Sequence, residues 1–217
     1  MIIMPRRLLL ACAVLVAAAP VRADVLRDAL DRLQRRYDDT RTLQADFKQV
    51  VESKTLAGKL QAKGKVAFEK PNRMRWDYDP PDPQTIVGDG TVLWIYQPDL
   101  KQVIKAPLTT AFQSSTPVSF LAGLGRIERD FDVSLVREEK DVWVLKLVPK
   151  ENDQGVGTLE LGVRKKDASV AQARIVDAAG TTTTIMFSGE KRNGTVKPEL
   201  FTFAPPAGVD VVNPPTY

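Results

Sequence analysis

Gly64-Lys-Val-Ala-Phe-Glu-Lys-Pro-Asn-Arg-Met-Arg-Trp-Asp-Tyr-Asp-Pro-Pro81, followed by Gly88-Asp-Gly-Thr-Val-Leu-Trp-Ile-Tyr96, places large apolar residues and charged residues alternately in short runs. Val66 and Phe68 alternate with Lys65 and Glu69, and Met74, Trp76 and Tyr78 alternate with Arg73, Arg75, Asp77 and Asp79. A period of two is that of a half-buried antiparallel strand, with one face packed and the other wet. The proline cluster Asp79-Pro-Pro-Asp-Pro83 ends one strand, and Asp89-Gly90 marks a tight hairpin between Thr85–Val87 and Val92–Tyr96. No reactive group stands beside these aromatics, which points to a surface that holds apolar material rather than to a catalytic cleft.

The same period extends outward in both directions. Leu43, Ala45 and Phe47 alternate with Gln44 and Asp46, and strands are predicted again over 131–136, 142–148, 158–163, 171–176, 182–188 and 200–203. Gly155, Gly180 and Asn193-Gly194 supply the turns. Two segments depart from this rhythm. From Asp24, an N-cap candidate, Val25, Leu26, Ala29, Leu30, Leu33 and Tyr37 fall at three- and four-residue intervals and predict an amphipathic helix. Between Pro107 and Gly125, Thr116-Pro117 reads as a helix start, with Phe120, Leu121 and Leu124 on one face.

Many short-linked strands with two greasy helical segments predict a mainly β, single-domain architecture: an incomplete, unclosed antiparallel β-barrel covered by short α-helices. Phe47, Met74, Trp76 and Trp94 then either fill an ordinary core or line a cavity for a ligand, and periodicity alone favours the core.

Met1–Ala23 has the form of a secretory signal: Arg6 and Arg7 precede an apolar run too short to span a bilayer, with small residues before Asp24. The domain division is therefore residues 1–23 as signal peptide and 24–217 as the mature unit. Cleavage at Ala23/Asp24 removes three arginines and no acid, taking the formal charge from +4 to +1 and with it the main argument for nucleic-acid binding. The single cysteine, Cys12, lies in this leader, so no disulfide framework is expected.

The chain has no histidine, which excludes serine triads, Cys-His pairs and histidine-ligated zinc; neither a catalytic residue, a metal nor a cofactor is expected. A hydrolase built on paired carboxylates would have to draw on acids such as Asp46, Asp77, Asp89 and Glu160, which sit on polar faces or turns. Asp77, Asp79 and Asp82 lack the glycine and closing glutamate of a calcium loop. Lys59, Lys63 and Lys65 read as the wet side of a strand pair.

Taken in order, Phe47-Lys-Gln49, Lys70-Pro-Asn72 with Met74-Arg-Trp76, Val87-Gly-Asp-Gly90 with Leu93-Trp-Ile-Tyr96, Thr116-Pro117 with Leu121, and Phe201-Thr-Phe-Ala-Pro-Pro-Ala-Gly-Val-Asp210 resemble the outer-membrane lipoprotein carrier family, LolA. The resemblance spans the predicted mature chain. It implies a monomeric periplasmic chaperone whose helix-lidded barrel takes up the acyl chains of lipoproteins, receiving them from an inner-membrane ABC transporter and delivering them to an outer-membrane lipoprotein receptor. It implies cargo contact at Met74 and Trp76; alternation and helix face extend that role to Phe47, Trp94, Leu121 and Leu124. Where the family commonly has an arginine that bonds to the lid, this chain has Lys70, which implies a weaker latch there or one relocated to Arg73. An acyl-ligand-binding paralogue on the same scaffold, a sensor or glycolipid carrier, is the alternative, with the carboxylate hydrolase behind it.

Overall fold

The computed structural model describes residues 19–53, 58–109, 126–150 and 156–213. Helix α1 (Ala19–Asp38) leads into β1 (Thr42–Glu52), β2 (Lys59–Glu69), β3 (Arg73–Tyr78), β4 (Gln84–Asp89), β5 (Val92–Gln97) and β6 (Gln102–Pro107). A one-turn helix α2 (Ile127–Asp130) then precedes β7 (Phe131–Glu138), β8 (Val142–Pro149), β9 (Val156–Arg164), β10 (Val170–Asp177) and β11 (Thr182–Arg192), and the short β12 (Asp210–Val212) comes last.

The twelve strands among the described residues share one sheet in the order β12-β6-β5-β4-β3-β2-β1-β11-β10-β9-β8-β7. The end strands β12 and β7 do not pair with each other, so the sheet is an unclosed barrel, as the strand pattern predicted. Register shifts at Gln44/Asp46 on β1 and at Leu135/Arg137 on β7 mark bulges, the usual device for bending a sheet. The Asp89-Gly90 hairpin is present, with Gly90 at φ 105° where only glycine is relaxed.

Four local expectations are corrected. Helix α1 already runs through Ala19–Ala23, where the described residues start, so in this chain Asp24 lies inside it rather than capping it. Leu200–Phe203 is not a strand. Pro198, which has no N–H to give a ladder, opens a 3-10 turn over Pro198–Phe201 instead, with the Leu200 amide donating to the Lys197 carbonyl. Gln102–Pro107 is a strand that the reading missed, and β12 pairs with it in parallel, the one exception to an antiparallel sheet. Asn193-Gly194 does not join two strands: Asn193, at φ 56°, takes the Arg41 amide on its Oδ1 at 2.7 Å and donates Nδ2 to the Asp39 carbonyl at 2.8 Å, clamping the link between α1 and β1. The second helix expected from the sequence, with Leu121 and Leu124, falls outside the described residues.

The two faces of the sheet are packed differently. On the inner face Phe47, Phe68, Met74, Trp76, Leu145, Leu161 and Phe187 form the principal core with Ala29, Leu30 and Leu33 of α1. On the outer face Val87 and Val103 are fully buried near the C-terminal turn that carries Phe201, itself 1 % exposed, and Arg75 ties that turn down through the Leu200 carbonyl.

Candidate functional site

Strand register assembles the inner aromatic cluster. Trp76 on β3 faces Val66 of β2 and Ile86 of β4, and Met74, two residues earlier, faces Phe68 and Gly88. Phe47 on β1 faces Gly64 on one side and Phe187 on the other. Glycine is required at 64, because a Cβ there would lie 1.9 Å from the Asp77 carbonyl oxygen and 3.0 Å from the Phe47 ring. Gly88 likewise leaves room for Met74, whose Cγ lies 3.0 Å from where a Cβ would stand.

The rings meet edge to face, the arrangement that the aromatic quadrupole favours. Phe47 and Trp76 have centroids 5.0 Å apart at 67°, and Phe68 and Trp76 5.9 Å apart at 84°. Tyr78 joins on the other side of Phe47 at 4.9 Å, its hydroxyl donating to Gln49 Oε1 at 3.0 Å. Burial pushes the Tyr78 phenol up to about 12. Phe47, Met74 and Trp76 are 1 %, 1 % and 2 % exposed. One polar atom in this cluster is left over: the Trp76 indole Nε1–H is buried without an acceptor among the described residues. Leaving such a donor dry costs about 1–3 kcal/mol.

Trp94 does not join them. The hairpin pairs Gly88 with Leu93, so the face of Met74 continues through Leu93, and Trp94 points to the other side. There it packs against Phe203 at 5.8 Å beneath Lys105 and donates its Nε1–H to Asp89 Oδ2 at 3.2 Å.

Between α1 and strands β1, β2, β10 and β11 lies an apolar hollow of about 90 Å³, lined by Leu33, Tyr37, Leu43, Phe68, Val170 and Phe187, with Arg36, Lys70 and Glu190 at its rim. The helix is closed down on the sheet.

Polar side chains hold it there. Lys70 Nζ donates to the Tyr37 carbonyl at the end of α1 and stands 4.1 Å from the centre of the Tyr37 ring. Burial lowers the Lys70 ammonium below its ordinary pKa, with Asp38 and Asp39 opposing. Burial likewise drives the Tyr37 phenol far above its usual range, assisted by Asp38 and Asp130. Arg73 is engaged elsewhere, with Glu69 at 3.0 Å. Contacts that the sequence reading missed complete the closure. Arg36 pairs with Glu190 and donates to the Asp167 carbonyl, Arg32 donates to the Lys165 carbonyl and lies 5.0 Å over Trp143, and Gln34 accepts from the Ile127 amide at 3.1 Å. The available signal was the pair Arg32 and Arg36, one turn apart on the helix that had to be covered.

The acids weighed as a catalytic pair are occupied separately. Asp77 binds Arg75 and Thr85, Glu160 lies 3.8 Å from Arg174, and Asp89 accepts from the Thr91 and Val92 amides as well as from Trp94. Although partial burial opposes it, those bonds and nearby Arg73 hold the Asp89 carboxyl below its usual value.

Residues 38–204 match the family described as outer membrane lipoprotein carrier protein LolA. An outer-membrane lipoprotein carrier protein of Chromobacterium violaceum is 35 % identical over 196 residues, covering 90 % of this chain and 93 % of the relative. One of Methylobacillus flagellatus is 35 % identical over 204 residues, covering 94 % and 98 %. Among solved structures, an uncharacterized conserved protein of Thermus thermophilus superposes with a TM-score of 0.55 at 16 % identity, over 87 % of this chain and 98 % of that one, a likeness of fold alone.

Proposed function

The chain belongs to the outer membrane lipoprotein carrier protein LolA family, and from that premise we propose that its inner face receives the acyl chains of lipoproteins when α1 moves aside. The protein is a lipoprotein chaperone of outer-membrane biogenesis. Phe47, Met74 and Trp76 form the floor of the acyl site, Leu121 and Leu124 contribute to it, and Lys70 is the latch. Cargo comes from an inner-membrane ABC transporter and passes to an outer-membrane receptor, with no covalent change. Residues 24–217 are the working unit, and the leader Met1–Ala23 is cleaved on the way to the periplasm.

The observation that carries this reading is the way the inner face is closed. Among the described residues, this large buried apolar surface is covered by α1, whose polar ties run mostly between side chains and main-chain carbonyls. Each such tie is worth about 1 kcal/mol net, because water replaces it on opening. Ala29, Leu30 and Leu33 would lose their apolar cover, and lipid would restore it. At about 0.8 kcal/mol per methylene, an acyl chain in water costs on the order of 10 kcal/mol, enough to make a carrier necessary and to offset the opening.

Incubation with membranes bearing labelled lipoprotein should release the label into solution, intact and one cargo per protein. Label that stays on the membrane, or that is released in altered covalent form, overturns the reading. Lys70→Leu should change the rate of handover to the receptor; release at the wild-type rate removes the latch role from Lys70.

A further inference from the structure

Among the described residues the indole N–H of Trp76, like that of Trp143 in the same core, is buried without an acceptor, a feature that apolar binding leaves unexplained. A phenylalanine would fill most of the same space between Phe47, Phe68 and Phe187 and would carry no donor to bury. The cross-strand neighbours on that face, Val66 and Ile86, offer only hydrocarbon. Trp94 marks the contrast, since its indole N–H, on the outer face, has a carboxylate to donate to.

Hydrocarbon tails bring no acceptor, but the group that attaches them does. We infer that the Trp76 Nε1–H is a hydrogen-bond donor for the carbonyl of the ester or amide linkage that joins an acyl chain to its cargo. This rests on the carrier reading and adds one polar contact to an otherwise apolar site. It sets the depth at which the linkage comes to rest and lets the site tell an acyl chain from an alkyl chain of equal length. The dry donor of the closed state is then the counterpart of a dry acceptor that arrives with the guest, and each is satisfied only when the other is present.

The test compares two synthetic lipopeptides of equal chain length, one with two ester-linked acyl chains and one with two ether-linked alkyl chains, by competition against a fluorescent fatty acid. The wild-type protein should bind the ester form roughly two- to tenfold more tightly. Trp76→Phe should bring the ratio to about one by weakening the ester form alone, whereas Trp94→Phe should leave it unchanged. Equal affinities in the wild type, or a ratio that survives Trp76→Phe, overturn the inference while leaving the carrier reading intact. Failure of both lipopeptides to bind overturns the carrier reading and the inference with it. Should Trp76→Phe not fold, the wild-type protein still decides: the indole N–H resonance of Trp76 should move downfield with the ester form and not with the ether form. The same position with both refutes the contact.

Discussion

Trp76 and Trp94 stand two strands apart in one sheet and answer to opposite rules. Trp76 is sealed on the inner face among phenylalanines, its N–H without an acceptor among the described residues; Trp94 lies on the outer face, partly buried, bonded to Asp89 and packed near Phe203. The outer tryptophan has the partners of a residue whose task is to hold a hairpin and the C-terminal segment together. Its inner counterpart is well packed but chemically incomplete, which is the state expected of a surface that will exchange one covering for another. A closed site differs from a plain core in having a polar group left over and a cover held by ties that water can replace.

The contrast is broken most easily by truncation. Trp76→Ala should lose about 3–5 kcal/mol of stability, as large buried aromatics do, against about 1 kcal/mol for Trp94→Ala. Urea unfolding of both variants checks this, and equal losses would erase the distinction between the faces. A smaller effect is expected from Arg36→Ala, which leaves Glu190 and the Asp167 carbonyl without their cation. Amides of α1 should then exchange with deuterium roughly tenfold faster, while those of β4 and β5 beneath the outer cluster keep their rates. Faster exchange everywhere would mean that α1 is a structural member and not a cover.

Acid should sharpen the comparison further, with the smallest change. Asp89 titrates below its ordinary value in the folded protein, so its contribution is fully present above about pH 4 and is lost as the pH falls from there through its lowered pKa. Asp89→Asn should flatten the acid limb of stability against pH below about pH 4. The fluorescence of Trp94 should respond over that range and that of Trp76 should not; a matched response would show the two faces to be coupled.

Much of the architecture could be read from alternation because a strand with one dry face records its orientation in every second residue. Met74, Trp76 and Phe47 came together as expected for that reason. Trp94 did not, because phase does not carry through a hairpin by counting: the pairing of Gly88 with Leu93 sets which residue of β5 turns inward. Family resemblance put Lys70 at the latch, and the Lys70 bond to the Tyr37 carbonyl is consistent with that. The spacing of Arg32 and Arg36 was legible but their partners were not, because these are main-chain carbonyls of a distant turn, which have no letter in the sequence, and for Arg36 also the far-off Glu190. The strand β6 and its parallel partner β12 were missed for a related reason. Three residues added along an edge are held by backbone ladder bonds and leave almost no periodicity.

One property of the strand order reaches beyond binding. β1 lies mid-sheet between β2 and β11, so that Phe47 meets Phe187 across a ladder joining the first strand to nearly the last. A chain that emerges from its amino end can zip the meander β1 to β6 locally, but the two halves of the sheet cannot be joined until β11 has arrived. Until then half an apolar trough stands open, the kind of intermediate that sticks to its own kind. The molecule that shelters the greasy parts of others is thus itself most in need of shelter just before it is finished.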